Sequence, residues 1–142
     1  MPKRIELFSK LHEIIRMGLP KNPSIVWDID GTLISETTHE PYKDIISFYN
    51  YCDQLGIHNH IITARPSYNN NIELTVKMLH DIGVTGWKSM YFAKDRSVNI
   101  PDYKLKARKN ITEKGYNTIM SLGDNPFDIG QYGGFGVIIE SP

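Results

Sequence analysis

The sequence has a single cysteine, Cys52, in 142 residues, so neither an intrachain disulfide nor a cysteine-built zinc cluster is available to it. It also lacks any excess of one charge. Sixteen Lys and Arg balance sixteen Asp and Glu, which removes the usual electrostatic drive toward sequence-blind binding of nucleic acid or an anionic membrane. No apolar run approaches the roughly 18 residues needed to cross a bilayer. Near the N-terminus, Glu6, Lys10, His12 and Glu13 interrupt anything resembling the apolar centre of a signal peptide. Internal repeats, low-complexity tracts and interdomain linkers are missing as well. These absences predict one soluble domain over residues 1–142 in a reducing compartment, with the cytoplasm as expected location and no membrane partner. Cys52 falls within a helical pattern and reads as a small buried thiol. Lys104, Lys106, Arg108 and Lys109 form the one candidate basic patch.

What is present is an alternation of strand-like and helix-like segments. Ile5, Phe8, Leu11, Ile14 and Ile15 recur at helical spacing, with Gly18 and Pro20 as stop signals, giving an N-terminal helix within residues 1–20. Ile25–Trp27 is a short apolar run that ends in the polar Asp28-Ile29-Asp30-Gly31. A helix is predicted from Tyr42 to Leu55, with Ile45, Ile46, Tyr49, Cys52 and Leu55 as its apolar face and Gly56 closing it. A strand over Ile57–Thr63 follows, then a helix marked by Ile72, Val76 and Leu79 and capped by Gly83. Lys88–Phe92 reads as a strand and the stretch through Pro101 as a polar loop. A helix from Lys104 to Lys114, strands over Thr118–Leu122 and Phe135–Ile139, and Gly115 between them complete the chain. Such alternation predicts an α/β fold: a three-layer α/β/α sandwich around a central parallel, five-stranded, Rossmann-like sheet.

Ligands of such sheets bind beyond the carboxyl ends of the strands. Three predicted strands end there in chemically capable residues: Asp28 and Asp30, then Thr63, then Asp124. Hydrolysis of a phosphate monoester needs a nucleophile, a proton donor for the leaving oxygen and positive charge around the phosphoryl oxygens. The even spacing of Asp28 and Asp30 lets both address one pocket. A carboxylate nucleophile repels a phosphate dianion unless a cation such as Mg²⁺ bridges them, and Asp124 with Asp128 can complete its site. Gly31 and Gly123 permit close backbone approach. Thr32 and Thr63 offer donors, and Lys104 offers a point charge.

"VWDIDGTL", "IITARP", "DYKLKARKNI" and "SLGDNPFDIG" together resemble the four ordered motifs of the haloacid dehalogenase superfamily of aspartate-nucleophile phosphatases. From "ITARP" through "GVTGWKSMYF" and "YKLKARKNITEKGYNTIMSLGD" the chain is similar to the acid phosphatase and vegetative storage protein branch. The resemblance implies that Asp28 forms an aspartyl-phosphate and ligates Mg²⁺. It implies that Asp30 is general acid and then general base, with its backbone carbonyl on the metal. Thr63 would hold the phosphoryl group beside Gly31, Thr32, Ala64 and Arg65, and Lys104 would neutralise both nucleophile and phosphate. Asp124 would ligate the metal, with Asp128 as a further ligand or a support for one. Some storage proteins of the branch lack the nucleophile; this chain keeps Asp28. Many superfamily members insert a cap domain, for which no interval here has room. An open site is therefore expected, unless another subunit or the 93–101 loop covers it.

Other readings stay open at this stage. Asp30-Gly31 also suits a hairpin turn, and Lys94, Lys106 and Lys109 compete with Lys104. Arg65 suits either a substrate phosphate or a neighbouring carboxylate, and Asp128 suits a cap on the turn around Pro126. His58 and His60 alternate on one strand and read as strand surface. The expected substrate is a phosphorylated small molecule. A nucleic-acid end, transfer to an alcohol instead of water, a non-enzymatic storage role and a homo-oligomer are the rival or additional expectations.

Overall fold

The computed structural model describes residues 4–141, with the side chain of Ile5 outside the described set. Its elements are α1 (Leu7–Arg16), β1 (Pro23–Trp27), α2 (Lys43–Gln54), β2 (His58–Pro66), α3 (Asn71–Asp81), β3 (Ser89–Ala93), α4 (Ile100–Glu113), β4 (Asn117–Gly123) and β5 (Phe135–Ile138). Short 3₁₀ turns cover Arg4–Glu6 and Pro126–Asp128. All four strand pairings are parallel, in the order β3-β2-β1-β4-β5.

The order explains which helix covers which face. The chain steps outward from β1 to β2 and β3, then returns past β1 to β4. Because parallel crossovers are right-handed, the helices of the outward steps belong on one face and the helix of the return on the other. The apolar clusters follow that division. Ile25 and Trp27 of β1 pack with Ile45, Phe48, Tyr49 and Cys52 of α2, Leu79 of α3 and Leu7 and Leu11 of α1. Val26, pointing the other way, packs with Ile62, Ala107 and Ile111. Three helices thus cover one face and α4 alone covers the other. Strand order reverses between β1 and β4, so their carboxyl ends flank the crevice.

Most predicted elements are found, with instructive shifts. The α4 helix begins at Ile100, so the expected polar loop is found over 94–99 and only its last two residues, Ile100 and Pro101, belong to the helix. Asn99 caps it, its side chain accepting from the Asp102 N–H at 3.0 Å, and proline is tolerated where no helical N–H donor is needed. In α3 the buried row is Thr75 and Leu79, while Ile72 is 43% exposed. Leu55 is likewise 45% exposed, because α2 ends at Gln54 and the chain turns back through Gly56 at φ +80°. Cys52 is buried as expected, and burial pushes its thiol up to about 12.

His60 overturns the expectation of a strand surface. A sheet covered on both faces has no solvated strand face, and His60 is fully buried. Its Nε2 meets Ser24 Oγ at 3.1 Å, its Nδ1 meets Ser89 Oγ, and its ring stands edge-on to Tyr116. Burial, reinforced by the charges of His58, Lys114 and Lys88, lowers its pKa to about 4, so the ring stays neutral at ordinary pH.

On the other face Asn59 satisfies two buried partners. Trp27 Nε1 donates to Asn59 Oδ1 at 2.8 Å, and Asn59 Nδ2 donates to the Tyr49 carbonyl at 3.2 Å. Asn59→Leu conserves volume but strands both partners, and should cost about 2 kcal/mol in urea unfolding with an unchanged slope.

Candidate active site

The site is built where β1 and β4 end. The Asp28 N–H donates to the Leu122 carbonyl at 3.0 Å, carrying the ladder one residue beyond β1 and fixing Asp28 at the strand mouth. The chain then coils tightly. Thr32 and Leu33 N–H groups return to the Ile29 carbonyl, and Gly31 takes φ +82°. Asp30-Gly31 is therefore a strand-to-loop turn; β1 and β2 are parallel, and no hairpin joins them. Glycine is required at 31, since a Cβ would lie 2.2 Å from Asp124 Oδ2. At Gly123 a Cβ would meet that of Asp128 at 2.1 Å. Gly31 thus lets the β1 loop close on the β4 loop, and Gly123 lets the turn that carries Asp128 fold back on the end of β4.

Lys104 is the centre of the arrangement. It is 2% exposed, and its Nζ lies 2.9 Å from Asp28 Oδ1, 2.8 Å from Asp128 Oδ1 and 2.8 Å from the Ile62 carbonyl. None of the competing lysines reaches these carboxylates. Lys106 pairs with Asp102 on the outer face of α4, and Lys94 and Lys109 are exposed. The candidate basic patch dissolves accordingly: Lys104 and Arg108, one helical turn apart, both point inward. Arg108 clamps the β4–β5 loop, donating to the carbonyls of Phe127 and Gln131 at 2.8 and 2.9 Å.

Asp28, Asp124 and Asp128 bring carboxylate oxygens within 4.8 Å of one another. Burial, with the charge of Asp128 added, raises Asp28 well above the usual carboxylate range despite Lys104. Burial also raises Asp128, against the pull of Lys104. Burial works to lower the Lys104 pKa, but the two carboxylates outweigh it and hold the ammonium charged. Three carboxylates around one ammonium leave two negative charges unbalanced. In addition, Asp128 Oδ1 is buried and has no aligned hydrogen bond, although it lies near Lys104. Three carboxylates close enough to share one ion make an all-oxygen donor set that fits a hard divalent cation. Asp128 fulfils its alternative expectation too: its Oδ2 accepts from the Asn125 N–H at 3.1 Å, closing the cap of the Pro126–Asp128 turn.

The end of β2 supplies the opposite wall. Thr63 is buried, and its Oγ1 accepts from the Arg65 N–H at 3.1 Å. Arg65 resolves toward a neighbouring carboxylate: its Nε and Nη2 hold Asp30 Oδ2 and Oδ1 at 2.9 and 2.8 Å. Thr32 Oγ1 stands 3.5 Å from Asp28 Oδ2. Ala64 lines the cavity, a cleft of about 600 Å³ whose lining also includes Asp28, Asp30, Arg65, Lys104 and Asp124. That volume lies within the range of small-molecule sites.

Sequence reasoning missed several contributors. Tyr103 donates from its hydroxyl to the Thr63 carbonyl at 2.8 Å, tying the start of α4 to the end of β2; its adjacency to Lys104 was the only available signal. Asn125 orients Asp124, donating to its Oδ1 at 3.1 Å. Residues 34–41 form a small flap, with Ile34 bridging Pro41 and the Ser35 N–H bonded to the Glu40 carbonyl at 2.8 Å. This flap brings Glu36 and His39 to the cleft. No inserted domain stands over the cleft among the described residues.

A carboxylate at a strand mouth, an ammonium sealed against it and three carboxylates close enough to share one cation thus meet beyond the carboxyl ends of β1 and β4. Residues 35–134 match the family described as HAD superfamily, subfamily IIIB (Acid phosphatase), and the chain belongs to that family. The match begins beyond Asp28 and Asp30, which join the site through geometry. Vegetative storage proteins 1 and 2 of Arabidopsis thaliana are each 32% identical to it, over 87 and 88 residues. The aligned stretch is 61% of this chain and 32% of each relative, so the chain spans about a third of their length. The class C acid phosphatase of Bacillus anthracis, solved with tungstate bound, shares the fold with a TM-score of 0.72 at 18% identity. That likeness covers 98% of this chain and 75% of the other.

Lys104→Met should leave two buried carboxylates without their cation and cost about 3–5 kcal/mol in metal-free protein at neutral pH. Folded Asp28 and Asp128 hold protons more tightly than their unfolded forms. Stability they contribute is therefore lost as pH rises from 3.8 through their raised values. The deficit of the variant against wild type, read from urea unfolding, should shrink on acidification to about pH 5.

Proposed function

We propose that this chain hydrolyses phosphate monoesters with Asp28 as nucleophile and Mg²⁺ as cofactor. The observation that carries the reading is the sealed Lys104 between Asp28 and Asp128 at the floor of an open cleft. An ammonium there holds Asp28 in place and supplies a permanent positive charge where the phosphoryl oxygens gather.

The chain's residues divide the work. Lys104 engages Asp28 Oδ1, while Oδ2 has a long contact to Thr32. An Asp28 oxygen attacks phosphorus, forming an aspartyl-phosphate as the bond to the leaving oxygen breaks. Asp30 gives that oxygen a proton. In the second half Asp30 takes a proton from the attacking water, inorganic phosphate leaves and Asp28 is restored. Thr63 Oγ1 accepts from the Arg65 N–H, so its own hydroxyl proton is available to the phosphoryl group. Asp28, Asp124 and Asp128, with the Asp30 carbonyl, are the residues to hold Mg²⁺, which when bound offsets the charge of the phosphate dianion.

The cleft extends beyond the phosphoryl end, where Leu74, Ile100 and Phe127 form an apolar wall with Arg96 and His39 beside it. This favours a phosphorylated small molecule with a partly apolar body. A storage role has support in the names of the Arabidopsis relatives, but the complete acidic set speaks for turnover.

Phosphate release from an aryl phosphate should require added Mg²⁺ and stop with excess chelator. Asp28→Asn should lower it by roughly 10³-fold or more without changing the melting profile at acid pH. Wild-type turnover in that variant would remove the nucleophile assignment, and a folded but inactive wild type would favour storage. Mg²⁺ should also raise the melting temperature of wild type, and do so less as pH falls, because its ligands must first lose protons.

A further inference from the structure

The reading above leaves Arg65 without a task, although it makes the most complete side-chain contact set at the cleft. Two of its nitrogens grip both oxygens of Asp30, and Nη1 donates to Thr75 Oγ1 at 3.1 Å. Thr75 is 1% exposed on α3, and the helix start is in turn tied to β2 by Asn71 Nδ2 donating to the Pro66 carbonyl at 3.0 Å. The guanidinium is thus fixed from behind by a buried hydroxyl on a packed helix. Its fork faces the carboxylate.

Asp30 needs such a support. It lies in the turn beyond β1, and its side chain is 31% exposed. Among the described residues only Arg65 hydrogen-bonds its carboxylate, whereas Asp28 is sealed at the strand mouth. Unsupported, the carboxyl group would turn freely between solvent and cleft. Proton transfer to a leaving oxygen tolerates only a narrow range of placement, and a displacement of about 1 Å can cost on the order of 10²-fold.

We propose that Arg65 is a positioning residue that orients Asp30 toward the leaving oxygen, with Thr75 orienting Arg65. The inference rests on the phosphatase reading and on Asp30 as its acid. A planar fork that spans both oxygens is a task for arginine, which lysine cannot copy. A phosphate-binding Arg65 would act differently: its loss would weaken all monoesters alike and weaken inhibition by inorganic phosphate.

The test is a series of phosphate monoesters running from nitrophenyl to simple alkyl leaving groups, assayed with wild type, Arg65→Lys, Thr75→Val, Asp30→Asn and the Arg65→Lys/Asp30→Asn double variant. Good leaving groups depart with little protonation, whereas alkoxides need the acid. Arg65→Lys should lower kcat for alkyl esters by about 10²-fold and for nitrophenyl phosphate by less than about 10-fold. Thr75→Val, nearly isosteric, should show the same trend more weakly. In the Asp30→Asn background Arg65→Lys should add no further loss. Equal losses across the series, additive losses in the double variant, or a change confined to KM and phosphate inhibition would overturn the positioning role. A folded wild type that turns over none of the esters would overturn the phosphatase reading itself, and this inference with it.

Discussion

The structure is organised around one buried ammonium. Removing Lys104 from water is unfavourable on its own, and removing Asp28 and Asp128 is unfavourable too; the three are tolerable only together. Their mutual placement constrains much else. The α4 helix must start early enough to carry Lys104 over the mouth of β1, which is why Asn99 and Pro101 open it ahead of the lysine. Tyr103 pins that first turn to Thr63, and Arg108 pins the following turn to the β4–β5 loop. Gly31 removes a Cβ that would hold the β1 loop off Asp124, and Gly123 one that would hold Asp128 off the end of β4.

The arrangement remains electrostatically incomplete. Burial first, and neighbouring carboxylates second, favour protons on Asp28 and Asp128 despite Lys104. Such a site is electrostatically strained on its own, because a single buried ammonium serves two buried carboxylates. Around this centre the walls differ in kind. The Asp28 side is sealed and dry, whereas the Asp30 and Arg65 side is half open to solvent. The first suits a nucleophile held at a fixed point. The second suits groups that exchange protons with a leaving oxygen and with water.

The position of the site follows from topology. Strand order reverses between β1 and β4, and that reversal puts α4 alone on its face, directly behind the reacting carboxylate. The small 34–41 flap takes the place where a larger insertion would roof the cleft, leaving the pocket wall of Leu74, Ile100 and Phe127 open to a substrate body.

Much of this was legible in the residue pattern. Short apolar runs ending in Asp, Thr and Gly-Asp marked β1, β2 and β4, because strands buried on both faces must be apolar until they emerge into the polar crevice. Those strand mouths put Asp28, Asp30, Thr63 and Asp124 at one edge of the sheet. Other features depended on neighbours distant in sequence. Nothing near His60 tells that Ser24 and Ser89 await it in adjacent strands, and four basic residues along 104–109 look alike until packing turns Lys104 and Arg108 inward. The partner of Arg65 was open for the same reason, since a guanidinium suits phosphate and carboxylate equally. Local pattern determined the α/β alternation, the strand mouths and the chemical types gathered there, because periodicity and turn chemistry act within a few residues. Tertiary structure alone decided which charges are buried, which carboxylate each cation holds and how open the cleft is, because burial and pairing are properties of contacts between distant parts of the chain.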